Sequence, residues 1–334
     1  MASGACGTLR PRIDSPGSSL ERPPRKEPSI ASRKRLAAAL VTNQLIASGT
    51  HIVAKGAMLV VSPLALALLR FITASGALLL YQRFRSAPQA IARRDWPMIA
   101  LLGILVIPIN QGFFLFGLSR STASHAALLY ALTPLLVLLF ARGLLREGGV
   151  VAKLAGILVA FAGVAVILLE RGLRHEMSVL GGDLLILVAV VAWALYTVLS
   201  KRLLHRYDPM TVTTWAIVSG TVLVLPALAI PGAVPPLPSV PPAVWGAIGY
   251  LAIGTSVIGY PLWMYALRHM DASKVAVTSN TQPILTAALS WLVFRERFTP
   301  GFLTGAALIL AGVTWVETRR AAVPAEAAVA VERV

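Results

Sequence analysis

The chain has 334 residues, of which 57% are hydrophobic and 13% charged, with a mean hydropathy of +0.75. A water-soluble domain carries about a quarter of its residues as charges, so this composition excludes a water-soluble fold and predicts a polytopic membrane protein. The net charge of +16 sits in the amino-terminal tail and in short loops between apolar runs, which are orientation signals in a membrane protein and exclude a nucleic-acid face.

Residues 1–35 are rich in Arg, Pro and Ser and lack the apolar core of a signal peptide. They are expected to be a disordered basic cytoplasmic tail whose "SRKRL" end meets anionic lipid headgroups. Apolar runs follow at 36–56, 62–82, 96–118, 121–142, 150–170, 182–203, 209–231, 243–267, 273–294 and 299–318. Each approaches the roughly 20 residues that a bilayer-spanning helix needs. Residues 319–334 form a second tail. With the amino terminus inside, 23 of the 30 lysines and arginines fall on the inner side. That asymmetry predicts ten spans, both termini in the cytoplasm and a place in the cytoplasmic membrane.

The first run carries Gln44, Ser48, His51 and Lys55 at i, i+4, i+7 and i+11, which share one helix face. A stripe facing a water-filled path explains them; contact between Gln44 or Ser48 and a neighbouring helix, with Lys55 in a loop, is the blander alternative. In the second run Arg70 lies eight positions in, about 12 Å along the helix, where a charge costs about 2.5–3.5 kcal/mol. It reads either as a contact for an anion or as a scaffold residue paired with a carbonyl. Asn110 and Gln111 beside Pro108 are further candidates, as are Trp193, Tyr196, Tyr260 and Trp263, although aromatic residues near helix ends more often anchor the interface.

Ser121–Val164 aligns without a gap with the chain 149 residues later, matching at 12 of 44 positions. The informative matches are Pro134/Pro283, Arg146/Arg295, Glu147/Glu296, Gly156/Gly305 and Gly163/Gly312; Lys55/Lys201 and Pro63/Pro209 match at a spacing of 146. The chain is therefore two five-helix repeats, 36–170 and 182–318. Since five is odd, the second enters the membrane from the opposite side. The expected fold is all-α, with ten transmembrane helices as two inverted repeats, a signature of secondary transporters.

Pro134 and Pro283 each remove a backbone donor and are expected to kink their helices. Their neighbours Tyr130 and Thr133, and Ser279 and Gln282, are expected to line a substrate cavity near the midplane. The glycines of the fifth and tenth helices allow close packing within the bundle, with homodimerisation through the same faces as the sharper alternative.

The ten-span layout, the "PLALALLRFITASGALLL" second helix and the two Pro-to-Arg-Glu helices resemble the EamA-type branch of the drug/metabolite transporter superfamily over about residues 36–320. One departure is "NQLIASGTH" in the first helix, where members often carry a Trp-Gly-like pair. The resemblance implies an exporter or permease of small metabolites, often amino acids or their derivatives.

Cys6 is the only cysteine, so neither an intrachain disulfide nor a Cys-based metal site is expected. No GxxxxGK[ST] phosphate loop or metal-ligand spacing occurs, so neither ATP hydrolysis by that route nor a cofactor is expected. No acids or histidines cluster as an enzyme would need, so no catalysis is expected, and without a mid-span carboxylate proton coupling has no obvious vehicle. The partners expected are a small-molecule substrate and the bilayer. The alternative function is a non-transporting receptor or scaffold, which would not require inverted halves.

Overall fold

The structure, a computed structural model, describes residues 30–85, 89–145, 154–173 and 177–318. The Arg146–Glu147 pair and most of both tails lie outside the described residues. All regular elements among the described residues are helical. They make ten spans: α1 Ile30–Ala57, α2 Pro63–Phe84, α5 Leu154–Leu173, α6 Met177–Leu204, α7 Pro209–Val224 and α10 Pro300–Thr318 are single helices. The other four are interrupted. In α3, Trp96–Ile104 and Phe113–Arg120 flank a π-helical stretch, Leu105–Gly112. In α8, Pro242–Gly249 and Tyr260–His269 flank the π-helical Tyr250–Gly259. Helix α4 breaks between Ala123–Tyr130 and Thr133–Leu145. Helix α9 passes from Ala272–Val277 through a 3-10 turn, Thr278–Asn280, into Thr281–Phe294.

Local sequence explains these boundaries. Ser62 and Asp208, repeat-equivalent positions, each accept a hydrogen bond from a backbone N–H three residues on, with a proline at the first helical position. Both features satisfy or remove donors that a helix start leaves free. The breaks in α4 and α9 fall in the turn before Pro134 and Pro283, where the proline has no N–H to offer and its ring crowds the preceding turn.

Among the described residues seven helices are long and apolar enough to cross a bilayer, and α5 and α10 include shorter apolar helices. Leu45, Leu80, Leu158, Leu169, Leu223, Ile284 and Leu292 are all more than half exposed around the bundle, a belt that suits hydrocarbon. Ion pairs gather at one end, where Arg85 meets Asp208 at 2.9 Å and Arg206 meets Asp95 at 3.0 Å.

The glycine faces of α5 and α10 pack on each other inside the chain. A Cβ on Gly163 would lie 2.7 Å from the Gly305 carbonyl oxygen, and one on Gly312 would lie 2.5 Å from that of Gly156. Only a hydrogen fits there, which is how small residues bring membrane helices together.

Candidate functional site: a central polar and aromatic cavity

The interrupted helices converge on one cavity. It is lined from α1, both π-helical stretches and the turns before the two prolines, with Trp193 from α6 and Tyr260 and Trp263 from α8. π-Helical turns leave backbone out of α register and recur at functional sites. Here they direct Asn110 and Gln111 from α3, and Thr255 and Gly259 from α8, to the wall. The cavity holds about 70 Å³, room for roughly five waters at about 10–15 Å³ each.

Hydrogen bonds tie the wall together. Asn110 donates to the Tyr130 hydroxyl and to the Ala189 carbonyl, both at 2.7 Å, while Gln111 donates to Asn110 Oδ1 at 2.6 Å. Across the cavity Gln282 donates to Gln44 Oε1 at 2.7 Å, and Gln44 donates to the Thr278 hydroxyl at 2.8 Å. Asn43 Nδ2 donates to the Gly259 carbonyl at 2.8 Å. These bonds run between the first helix of one repeat and α8 and α9 of the other, so the polar contacts cross the pseudo-symmetry interface.

Arg70 is fully buried behind this wall. Its Nη1 donates to Gln111 Oε1 at 2.7 Å and its Nε lies 3.4 Å from the Ser256 hydroxyl, while Nη2 has no partner. The guanidinium thus bridges the two π-helical stretches rather than reaching a carbonyl or the interface.

Of the residues expected at the site, His51, Asn110, Tyr130, Ser279 and Gln282 lie on the wall. Gln44 stands next to it, held by Gln282 and Thr278. Ser48 faces α9, donating to the Gln44 carbonyl while its own carbonyl accepts from Thr286. Thr133 is buried without a hydrogen-bond partner and is not on the wall; the break in α4 turns it away from Tyr130. Lys55 lies at the end of α1, where its amine donates to the carbonyls of Leu118, Ser119 and Ser121.

Several wall residues escaped sequence reasoning. The stripe on α1 that faces the cavity is Asn43, Ile46, Ala47, Thr50 and His51, one step round from the expected one. Asn43 and Thr50, seven apart, were the available signal. Trp193, Tyr260 and Trp263, weaker candidates on sequence, are on the wall, with the rings of Tyr260 and Trp263 5.4 and 5.7 Å from that of Trp193, whereas Tyr196 is not on it. A buried acid also appears near the Lys55 end: Asp183, fully buried, accepts from the Ser121 hydroxyl and lies 3.2 Å from His125 Nδ1. Among the described residues no group of three or more His, Cys, Asp or Glu is gathered as a metal would require.

Two inverted five-helix halves closed around a polar cavity define a polytopic membrane protein with the architecture of secondary transporters. The chain belongs to the EamA-like transporter family, which matches it over residues 36–169 and 180–318. It is similar to an uncharacterized transporter of Archaeoglobus fulgidus, 31% identical over 82% of this chain and 94% of that protein. It is also similar to the uncharacterized transporter YyaM of Bacillus subtilis, 30% identical over 75% of this chain and 83% of that protein. A probable terminal-alkyne amino-acid exporter of Streptantibioticus cattleyicolor is 31% identical over 68% of this chain and 74% of its own length. A crystal structure sharing 23% identity superposes on 84% of this chain and 97% of its own with a TM-score of 0.62, a likeness of fold.

Proposed function

We propose that the protein exports small organic metabolites, such as amino acids or their derivatives, across the cytoplasmic membrane by alternating access, with both termini in the cytoplasm. The observation that carries this reading is the cavity between the inverted halves, whose polar wall is stitched by bonds from one repeat to the other. Rocking one half on the other would break such bonds on one side of the cavity while the wall stays near the midplane. A receptor or scaffold would have no use for a wall assembled from both halves, and the exporter of S. cattleyicolor supports an amino-acid-like cargo.

The test is flux in proteoliposomes without ATP, using a terminal-alkyne amino acid, the common amino acids, their N-acetyl derivatives and phenylacetate as solutes. Gln282→Ala is expected to cut flux at least about tenfold by removing the α1–α9 bond and a wall amide, with Gly76→Ala, on an exposed face, as the folded control. Absence of flux for every solute tried, in protein that folds, would overturn the reading.

A further inference from the structure

The cavity combines a buried cation, no acid, and aromatic faces. The Arg70 guanidinium has only neutral hydrogen-bond partners, Gln111 and Ser256, and its Nη2 has none. No residue on the cavity wall is Asp or Glu. Gln111 and Tyr260 stand between the guanidinium and the cavity, since both line it, and the hydroxyls of Tyr130 and Tyr260 lie within electrostatic range of the charge. The Tyr260 hydroxyl is buried and close to the guanidinium, with no other hydrogen-bond partner. A buried, unpaired charge in a membrane protein is costly. Among the described residues no carboxylate bonds this guanidinium, and its partner Gln111 lines the cavity.

The rest of the wall offers an ammonium no carboxylate, only neutral amides, hydroxyls and the weaker cation–π attraction of aromatic faces. His51 Nδ1 lies 3.1 Å from the Ala47 carbonyl, so it carries the proton and leaves Nε2 as a neutral acceptor without a partner. Trp193 and Trp263, 5.7 Å apart and tilted, present apolar π surface. An ammonium would have to leave water for neutral acceptors near a fixed positive charge, and desolvated charges need a counter-ion.

We propose that the cavity selects monocarboxylates whose amine is absent or masked, with an apolar or aromatic body, over zwitterionic and cationic amines. The carboxylate takes Arg70 Nη2 and the Tyr260 hydroxyl as donors once Gln111 gives way, a charge-assisted pair of bonds. The body lies on Trp193 and Trp263, and His51 Nε2 accepts an uncharged N–H such as that of an acylated amine. This deepens the transport reading, resting on it for the cavity's role but not for the binding chemistry.

The experiment is equilibrium binding to the purified full-length chain in detergent at neutral pH, separate from flux. The probes are phenylacetate, N-acetylphenylalanine, phenylalanine, phenethylamine and phenylacetamide. The two acids without a free amine are expected to bind at least about tenfold more tightly than phenylalanine, and more tightly still than phenethylamine. Arg70→Met should remove that preference while leaving phenylacetamide binding unchanged. Tyr260→Phe deletes a single hydroxyl and keeps the ring, so it should fold even if Arg70→Met does not, and is expected to weaken the acids severalfold and phenylacetamide little. Phenylalanine or phenethylamine binding as well as phenylacetate would overturn the proposal. So would acid preference unchanged in both variants, or no binding by any probe. Acid-selective binding without flux would refute the transport reading and leave this one standing.

Discussion

At the close of α1, Lys55 donates to the carbonyls of Leu118, Ser119 and Ser121; at the matching point of α6, Lys201 donates to the carbonyl of Met270 at 2.9 Å and faces the Asp271 carboxylate at 3.8 Å. Ser121 and Met270 are 149 residues apart, so the two lysines hold the same carbonyl of the repeat at opposite ends of the bundle. The Lys55 clasp neutralises the negative carbonyl end of α3 through carbonyl acceptors, with the Glu296 carboxylate in electrostatic range but not bonded to it. The Lys201 clasp adds an ion pair, and Lys274 also reaches Asp271 at 3.1 Å. Duplication supplied one backbone contact twice, and divergence of a few side chains made the two ends unequal. Opening one end therefore breaks different bonds from opening the other.

The strongest challenge to the paired halves is at the α5–α10 seam. Gly305→Leu puts a side chain 2.8 Å from the Gly163 carbonyl oxygen and is expected to cost about 3 kcal/mol or more by overpacking. Thermal unfolding in detergent should show a clear loss, while Gly76→Leu, with open space around it, should be neutral. Similar melting of the two variants would mean that the seam does not join the halves.

The lysines come next. Lys55→Met strands up to three carbonyls and is expected to cost about 2 kcal/mol, against about 1 kcal/mol for Lys201→Met, because Lys274 still serves Asp271. Added salt should shrink the Lys201 effect more than the Lys55 effect, since half-exposed ion pairs are screened. Equal losses and equal salt responses would erase the distinction between the ends.

The smallest effect is a pH dependence at the Lys201 end. Burial alone would raise the Asp208 carboxyl, but hydrogen bonds from Thr211 and the Arg85 guanidinium outweigh it and hold the group below the ordinary carboxylate range. A carboxyl lowered by folding gives stability that is present above its unfolded pKa and lost as pH falls through the folded one. Asp208→Asn keeps a good cap and gives up a partly exposed ion pair, so the expected cost at neutral pH is about 1 kcal/mol or less. Its acid-side melting curve should be flatter than that of the unaltered chain.

Helix count, duplication and both proline breaks were legible because long apolar runs and prolines leave marks that tertiary packing does not rewrite. The cavity wall was only half legible. On α1 the expected polar stripe and the true one differ by about one residue, since in lipid an apolar neighbour such as Ile46 serves a cavity or a bilayer equally. Thr133 was misplaced because its offset from Tyr130 assumed an unbroken helix, whereas Ala131 and Leu132 interrupt it. The π-helical stretches left no sequence mark beyond Pro108, because adding a residue to a turn barely alters an apolar pattern. The Asp183–His125 contact joins residues 58 apart, beyond any local periodicity.

Each π-helical stretch makes chain length itself a structural parameter. Removing one residue between Leu105 and Gly112 would let α3 close into α register and swing the following turns round by about 100°. Leu118 and its neighbours would then carry their carbonyls away from the Lys55 amine, and Asn110 would leave Tyr130. A single-codon deletion there would thus uncouple the clasp at the membrane edge and the central chamber in one stroke.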